Sequence, residues 1–318
     1  MHWQFRRLVD RSRWAVALAL ALSACVWARA EDNVWARRLA LYAHDAAQPL
    51  AAREDPVKDV GAYTSQVIHF ASVNDEVVPA LLCRPKNVDK PPVILCLHGL
   101  GGDKSITQMI EAVFAPYGIA TIGIDAQYHG ERKRQSVEII SANLEQTRQA
   151  MIQTVIDNER AIDYVRSRAD LDGNRVGLLG MSMGAILGTT VTAVDPRFSS
   201  ACLVVGGGRW DLILGRSQHP VAQLLKDSGI TEAKLAERMG DVDPINFVAH
   251  IAPRPILMVN GKSDPIIPKA ATEALYEAAQ QPKEIVWLEG GHIPPIPQLM
   301  KLVVNWAKTQ VCGPPAAQ

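Results

Sequence analysis

Residues 175–188 read RVGLLGMSMGAILG, and this stretch decides the fold. Its first part, residues 175–180, is apolar enough for a buried strand, and the helical pattern begins at residue 185. Between them lies the GxSxG pentapeptide GMSMG, residues 180–184. Such a tight turn from strand to helix needs residues without bulk on both sides, and it exposes the central hydroxyl above the sheet. The stretch therefore predicts a nucleophile elbow that carries Ser182.

Apolar runs on both sides of the elbow predict a mostly parallel eight-stranded sheet in an α/β fold. Residues 64–71 and 76–83 predict an opening antiparallel pair, joined by a turn at residues 74–75. Six runs without period-two alternation are typical of strands buried on both faces: residues 92–97, 119–124, 175–180, 201–206, 255–260 and 284–289. Helical stretches separate them, the longest over about residues 141–168 with one apolar stripe. These crossovers place helices on both faces of the sheet.

Residues 209–249 interrupt this alternation, because they contain helical patterns but no strand pattern. We expect them to form a small helical cap insertion over the carboxyl edge of the sheet, where open α/β folds bind ligands. Trp210 is a candidate substrate contact, with burial in the core of the insertion as the alternative. Residues 31–318 are thus predicted to form a single α/β domain with this insertion.

The N-terminus has the composition of an export signal. Residues 1–13 contain four Arg and one Asp, and residues 14–28 are uncharged until Arg29 follows. This run is short of the roughly 18 to 20 apolar residues that span a bilayer, so no membrane span is predicted. Residues 28–30 (ARA) supply a cleavage site. We expect residues 1–30 to be a cleaved signal peptide and the protein to be exported, to the periplasm or as a secreted protein.

The same segment allows a second interpretation. Residues 22–25 (LSAC) resemble a bacterial lipobox, in which the signal is removed before a lipidated cysteine. The alternative is therefore a lipoprotein signal over residues 1–24 and a membrane-anchored protein with its lipid at Cys25. Because no flexible Ser/Gly tether follows Cys25, we favour soluble export.

Charge and cysteine usage indicate which partners to expect. The chain has 33 basic and 33 acidic residues, and residues 1–30 hold five Arg but one Asp, so the remainder is mildly acidic. Nucleic-acid binding is not expected, since it requires a basic surface. Cys96 and Cys202 lie in predicted buried strands and are interpreted as apolar fillers. The spacing of cysteines and histidines predicts no metal site, and no cofactor is implied.

A serine hydroxyl needs a positioned base to act as a nucleophile. His292 lies in the loop directly after the last predicted strand, which places its ring at the carboxyl edge of the sheet. A third group must orient this ring and stabilise its protonated form. Asp264 follows the strand at residues 255–260, at the same edge, and is the predicted acid. Three further carboxylates remain as alternatives to it: Glu289, Asp241 and Asp243.

A tetrahedral intermediate also needs hydrogen-bond donors for its oxyanion. The backbone N–H of Met183, directly after Ser182, is one candidate. The other is the Leu100 N–H, in the glycine-rich turn HGLGG at residues 98–102 that follows a predicted strand. We therefore predict an oxyanion hole formed by Leu100 and Met183.

From HGLGG through GMSMG and GKSDP to GGH, the sequence resembles the α/β-hydrolase superfamily over roughly residues 60–310, with the motifs in order on predicted strand ends. Within it, residues 157–184 and 243–268 look most like the group of dienelactone hydrolases, acetyl xylan esterases and prolyl-oligopeptidase-like proteins. Dienelactone hydrolases have a Cys nucleophile where this chain has Ser. The resemblance implies the chain order Ser, Asp, His for the catalytic groups. It also implies that Tyr128 or His129 lies near the active-site rim, with a loop of satisfied polar groups as the alternative.

Together these residues predict an exported serine hydrolase that cleaves carboxylic esters through a Ser-His-Asp triad and an acyl-enzyme. Its expected partner is a small-molecule ester. One alternative is an exported serine peptidase of prolyl-oligopeptidase-like type. Another is a noncatalytic binding protein on a hydrolase scaffold, because a fold does not by itself imply an activity.

Overall fold

The computed structural model describes residues 33–313 of the chain. A first compact unit ends at Ala43 and a second begins at His44. In the first unit, residues 33–40 are helical (α1). The predicted signal peptide and the lipid site at Cys25 lie outside the described residues.

The second unit is built on a ten-stranded sheet. Its strands are β1 (Arg53–Glu54), β2 (Lys58–Asp59), β3 (Tyr63–Ala71), β4 (Val77–Pro85), β5 (Pro92–Leu97), β6 (Ala120–Ile124), β7 (Asp172–Met181), β8 (Phe198–Val204), β9 (Ile256–Gly261) and β10 (Lys283–Leu288). The order is β1-β3-β4-β6-β5-β7-β8-β9-β10, and β2 also pairs with β3. From β6 to β10 all neighbours are parallel, whereas β4 is antiparallel to both of its neighbours. All eight predicted strands are confirmed, and the short β1 and β2 are added to them.

The turn between β3 and β4 is also where the sequence predicts it. Asn74 and Asp75 have φ values of 58° and 56°, a left-handed conformation that these two residue types tolerate. The Glu76 N–H donates to the Val73 carbonyl at 3.2 Å and closes the turn.

Helices cover both faces of the sheet. They are α2 (Ile106–Phe114), α3 (Leu144–Ser167), α4 (Met183–Val194), α5 (Trp210–Arg216), α6 (Pro220–Asp227), α7 (Glu232–Met239), α8 (Lys269–Ala278) and α9 (Ile296–Trp306). Leu178 and Leu179 are successive residues of β7. Leu178 lies where a Cβ on Gly188 of α4 would be, whereas Leu179 packs with Val303 and Trp306 of α9. Since successive strand residues point to opposite faces, α4 and α9 lie on opposite sides of the sheet.

Helix α3 is buried more widely than its predicted single stripe. Its central polar residues are covered because distant segments bind them. The Asp157 carboxylate accepts the Ser72 hydroxyl at 2.5 Å and the Arg132 guanidinium at 2.6 Å. The Arg160 guanidinium donates to the Gln48 carbonyl at 2.6 Å. The predicted apolar stripe is buried as expected, and these partners make polar faces of the helix part of the interior as well.

The segment between β8 and β9 holds α5, α6 and α7, and no strand occurs among its described residues 205–255. Helices α6 and α7 coincide with the helical patterns in the sequence, and α5 is an additional helix. The Asp243 carboxylate accepts the Arg209 and Trp210 N–H groups, each at 2.8 Å, and so binds the start of α5.

Candidate active site

Ser182 occupies the junction of β7 and α4 in a strained backbone conformation. Its φ is 56° and its ψ is −118°, and its N–H donates to the Val204 carbonyl at 2.8 Å. A Cβ on Gly180 would lie 2.2 Å from the Gly184 carbonyl oxygen, and one on Gly184 would lie 2.1 Å from the Leu97 carbonyl oxygen. Both glycines are therefore required by close backbone contacts, as expected for a nucleophile elbow.

His292 bridges Ser182 and Asp264. Its Nε2 lies 2.9 Å from the Ser182 Oγ, and its Nδ1 lies 2.8 Å from the Asp264 Oδ2. A carboxylate accepts hydrogen bonds, so Nδ1 carries the proton and Nε2 accepts the serine hydroxyl. The other Asp264 oxygen accepts the N–H groups of Ile266 and Ile267 at 2.8 and 3.0 Å, which orients the carboxylate. The structure thus brings the three predicted residues together in the order Ser, His, Asp.

The alternative acids have other partners. Glu289 pairs with Lys262, and Asp243 binds backbone amides at the start of α5. Asp241 is exposed to solvent. The carboxylate that faces His292 Nδ1 is that of Asp264.

Two of the backbone N–H groups in the glycine-rich turn after β5 donate hydrogen bonds within the protein. The Gly102 N–H donates to the Gly99 carbonyl at 3.0 Å, and the Gly101 N–H donates to His129 Nε2 at 3.2 Å. Within the part of the chain that the structure describes, the Leu100 N–H has no hydrogen-bond acceptor. The Leu100 N–H is thus not bound to another group of this turn and can donate to a ligand.

This turn lies against the nucleophile. A Cβ on Gly99 would be 3.5 Å from the Ser182 Cβ. Met183 is the first residue of α4, and N–H groups in the first turn of a helix have no intrahelical acceptor. The structure therefore places both predicted oxyanion donors, Leu100 and Met183, in segments that adjoin Ser182.

The three predicted substrate contacts are placed differently. His129 is 2% exposed, with Nδ1 2.9 Å from the Gln127 carbonyl, and the buried Trp210 donates its indole N–H to the Val242 carbonyl at 3.3 Å. Both rings are packed inside the fold with their nitrogens bonded, so the prediction of substrate contact is corrected for them. Tyr128 is half-buried at a φ of 63° and remains a predicted contact.

His219 is a neighbour of the site that the sequence reasoning missed. Its Nδ1 accepts the Val221 N–H at 3.2 Å at the start of α6, and the preceding Gln218 N–H donates to the Pro265 carbonyl at 2.9 Å. Burial and the nearby His292 ring both hold the pKa of His219 below its usual value. The sequence signal, His before a Pro that opens a helix, indicates a helix start and not a place beside His292.

Asp125 binds both the chain segment that follows the glycine-rich turn and the loop at residues 125–131. Its carboxylate is fully buried, and it accepts the Lys104 N–H at 2.8 Å, the Lys104 ammonium at 2.9 Å and the Glu131 N–H at 2.9 Å. A Cβ on Gly130, whose φ is 52°, would lie 2.2 Å from this carboxylate. The loop at residues 125–131 is therefore fixed to the chain segment that enters α2.

Cys96 and Cys202 are buried free thiols, as their strands predict. Burial raises the pKa of the Cys83 thiol to about 12, so it is not a thiolate near neutral pH.

Across residues 33–313 no group of three or more His, Cys, Asp or Glu side chains is placed to hold a metal ion. None of the helices within this range is both long and apolar enough to cross a bilayer.

The sheet order, the helices on both faces and the elbow define the α/β-hydrolase class. Residues 29–310 match the family model described as acetyl xylan esterase (AXE1), and the chain belongs to that family. An acetyl xylan esterase from Paenibacillus sp. R4 superposes with a TM-score of 0.75 at 19% identity, over 88% of this chain and 94% of that one. Acetyl xylan esterase 1 from Thermoanaerobacterium sp. JW/SL YS485 has a TM-score of 0.70 at 20% identity, over 86% and 92%.

Sequence relatives match over a shorter stretch. The protein YfhR of Salmonella typhimurium (strain LT2) is 32% identical over 149 residues, which are 43% of this chain and 47% of that protein. The chain spans about half the length of the curated relatives it matches first.

Proposed function

We propose that the protein is an exported serine hydrolase that cleaves carboxylic esters. The observation that carries the proposal is the chain of hydrogen bonds from the Ser182 Oγ through His292 to Asp264. Membership of the acetyl xylan esterase family supports an ester as the substrate. Because the two structural neighbours are also named acetyl xylan esterases, we place acetyl esters of small molecules first among the substrates.

The geometry supports a two-step mechanism. His292 Nε2 takes the hydroxyl proton while the Ser182 Oγ attacks the ester carbonyl carbon, and Asp264 stabilises the resulting imidazolium. The carbonyl oxygen becomes an oxyanion that accepts the N–H groups of Leu100 and Met183. His292 then gives its proton to the departing alcohol, which leaves an acyl-enzyme. A water molecule repeats the sequence, releases the acid and restores the serine.

Ser182→Ala tests the nucleophile, with Ser199→Ala, near the amino end of the neighbouring strand β8, as the matched control. We expect Ser182→Ala to lower kcat for a nitrophenyl acetate by at least about a thousandfold, and Ser199→Ala to leave it within about twofold. A fluorophosphonate should label wild type and Ser199→Ala but not Ser182→Ala. Undiminished turnover in Ser182→Ala would show that Ser182 is not the nucleophile. Absence of labelling in the wild type would favour a noncatalytic binding protein instead.

The leaving group separates esterase from peptidase. A panel of nitrophenyl esters run beside dipeptide anilides compares the two substrate classes on one enzyme. We expect turnover of the acetyl ester to exceed that of every anilide. Faster cleavage of an anilide would assign the protein to the peptidases.

Export has its own test. The Arg-rich start and the apolar run of residues 14–28 support it. Expression of the full chain in a Gram-negative host, followed by mass spectrometry of the N-terminus, should give Glu31 as the first residue. A lipidated Cys25 would show the membrane-anchored alternative, and an unprocessed Met1 would contradict export.

A further inference from the structure

We propose that His98 and His129 form a reciprocal pair of positioning residues that holds the oxyanion loop, residues 98–102, in its active arrangement. The proposal rests on the proposed function, because it concerns the donors for the same oxyanion. The two residues act through backbone groups of the two loops and not through contact with the substrate.

Each histidine binds the backbone of the other's loop. His129, in the loop at residues 125–131, accepts the Gly101 N–H on its Nε2 at 3.2 Å. His98, in the oxyanion loop, accepts the Ala126 N–H on its Nε2 at 3.1 Å. The two rings lie 4.9 Å apart between centroids, so the exchange is compact. Two hydrogen bonds of opposite direction therefore join the two loops.

The partners fix the protonation of both rings. The Nδ1 atoms face carbonyl oxygens, His98 that of Gly99 at 2.8 Å and His129 that of Gln127 at 2.9 Å. A carbonyl only accepts, so each Nδ1 must carry a proton, and each Nε2 must present a lone pair to an N–H. Both rings are thus neutral Nδ1–H tautomers. Burial lowers the pKa of His98, which favours its neutral form.

The oxyanion loop needs such support because its own residues supply little. Gly101 has a φ of 78°, and a Cβ there would meet nothing within 4 Å, so no neighbouring atom packs against that side of the residue. The turn bond between Gly102 and Gly99 and the bond to His129 fix the peptides on either side of Leu100. The loop that carries His129 is itself fixed through Asp125. The Leu100 N–H belongs to the same peptide group as the Gly99 carbonyl, which also accepts the His98 Nδ1–H at 2.8 Å. The direction of the Leu100 N–H therefore depends on His98 through its own peptide and on His129 through the next one.

His129→Gln and His129→Leu separate this role from packing. Both changes remove the Nδ1–H donor to Gln127, but a Gln side chain can offer an acceptor near the place of Nε2, and Leu cannot. We expect His129→Leu to lower kcat for the acetyl ester by about 10- to 100-fold with KM within about threefold, since a displaced donor weakens transition-state binding. We expect His129→Gln to keep kcat within about fivefold of wild type. The affinity for a boronic acid, which forms a tetrahedral adduct with serine, should fall in parallel with kcat.

The proposal would be overturned by equal kcat values for the Gln and Leu variants. It would also be overturned if His129→Leu raised KM and left kcat unchanged. Fluorophosphonate labelling of Ser182 in the same samples distinguishes this failure from failure of the proposed function, which would abolish labelling in the wild type as well. If His129→Leu does not fold, ¹⁵N spectra of the wild type with labelled histidine still decide the question. His98 and His129 should each give the signals of an Nδ1–H tautomer with an unprotonated Nε2. An Nε2–H at either of these two rings would refute the pairing.

Discussion

The two sides of the candidate site differ in the space around the residue that adjoins the reacting side chain. Ser182 lies between β7 and α4, where the carbonyl oxygen of Leu97 leaves no space for a side chain at residue 184. His292 lies in the loop after the edge strand β10. A Cβ on Gly291 beside it would meet no atom closer than 3.6 Å, although the Gly291 carbonyl oxygen itself lies 2.0 Å from where a Cβ on Gly261 would be. The next residue, Ile293, is 67% exposed.

The difference shows how each side chain is positioned. Ser182 is fixed by backbone packing in the centre of the sheet, so its place depends on many close contacts. His292 is oriented by its hydrogen bond to Asp264, a side chain that neighbouring amides hold in turn. We therefore expect the Ser182 side to fail when its backbone contacts are disturbed, and the His292 side to fail when one polar group is changed.

Two glycine substitutions give the largest contrast. Gly184→Ala places a methyl group 2.1 Å from the Leu97 carbonyl oxygen, and relieving this clash must separate α4 from β5. We expect Gly184→Ala to lose at least about 99% of esterase activity and about 3 kcal/mol or more of unfolding free energy, as overpacking against backbone does. Urea unfolding together with turnover of the acetyl ester measures both effects.

Gly291→Ala is the matched control, since its methyl group would make ordinary contacts, at 3.6 Å from the Ser263 carbonyl oxygen and 3.7 Å from Pro265. We expect its unfolding free energy to change by less than about 1 kcal/mol. Similar losses in the two variants would show that the two sides are equally constrained, and the comparison would fail.

Asp264→Asn examines the polar support of His292. An amide oxygen can still accept the Ile266 and Ile267 N–H groups, so the loop should keep its shape. An amide NH₂ facing Nδ1 favours the wrong tautomer, and we expect kcat to fall by about 10³- to 10⁴-fold. Fluorophosphonate labelling should slow by a similar factor, while the melting temperature stays close to that of wild type. A variant with wild-type kcat would remove Asp264 from the mechanism.

Sequence patterns located the sheet and the elbow because both depend on local composition. The strands at β5 and β9 are apolar without alternation, since they are buried on both faces. Ser182, Asp264 and His292 each follow a strand, and the carboxyl ends of neighbouring parallel strands meet at one edge. That is why widely separated residues were predicted to meet.

What the sequence did not indicate depends on contacts between distant segments. The resemblance implies that His129 lies near the rim, yet its ring is 2% exposed, adjacent to the His98 ring and bonded to the Gly101 N–H. Trp210 is buried because α5 packs into the insertion, and the position of His219 follows from the bond between Gln218 and Pro265. No periodicity or motif encodes these pairings.

The packing of α2 against β6 includes a group whose contribution to stability depends on pH. Glu111 of α2 is fully buried, its Oε2 accepts the Thr121 hydroxyl at 2.8 Å, and burial raises the pKa of its carboxyl to about 8. The folded protein therefore holds this proton more tightly than the unfolded chain, whose pKa is near the ordinary 4.5. Its contribution to stability is present in full below about pH 4.5 and declines as the pH rises toward about 8.

Glu111→Gln removes this titration and keeps an acceptor for Thr121. We expect its unfolding free energy to exceed that of wild type by about 1 to 3 kcal/mol at pH 9, and the difference to vanish or reverse at pH 5. Urea unfolding at both pH values measures it. Part of the slope should persist, because burial also raises the pKa of Glu159 to about 8. Parallel pH profiles for the two proteins would contradict the raised pKa of Glu111.

Ile293→Ser should have the smallest effect, although it lies directly beside His292. The side chain is 67% exposed, so removing it uncovers little apolar surface, and substitutions at such positions change stability by about 0.5 kcal/mol or less. Since Asp264 and not packing orients the His292 ring, kcat for the acetyl ester should stay within about twofold. A higher KM with unchanged kcat would mean that Ile293 contacts the substrate. A loss in kcat would mean that packing, and not the bond to Asp264, positions the base.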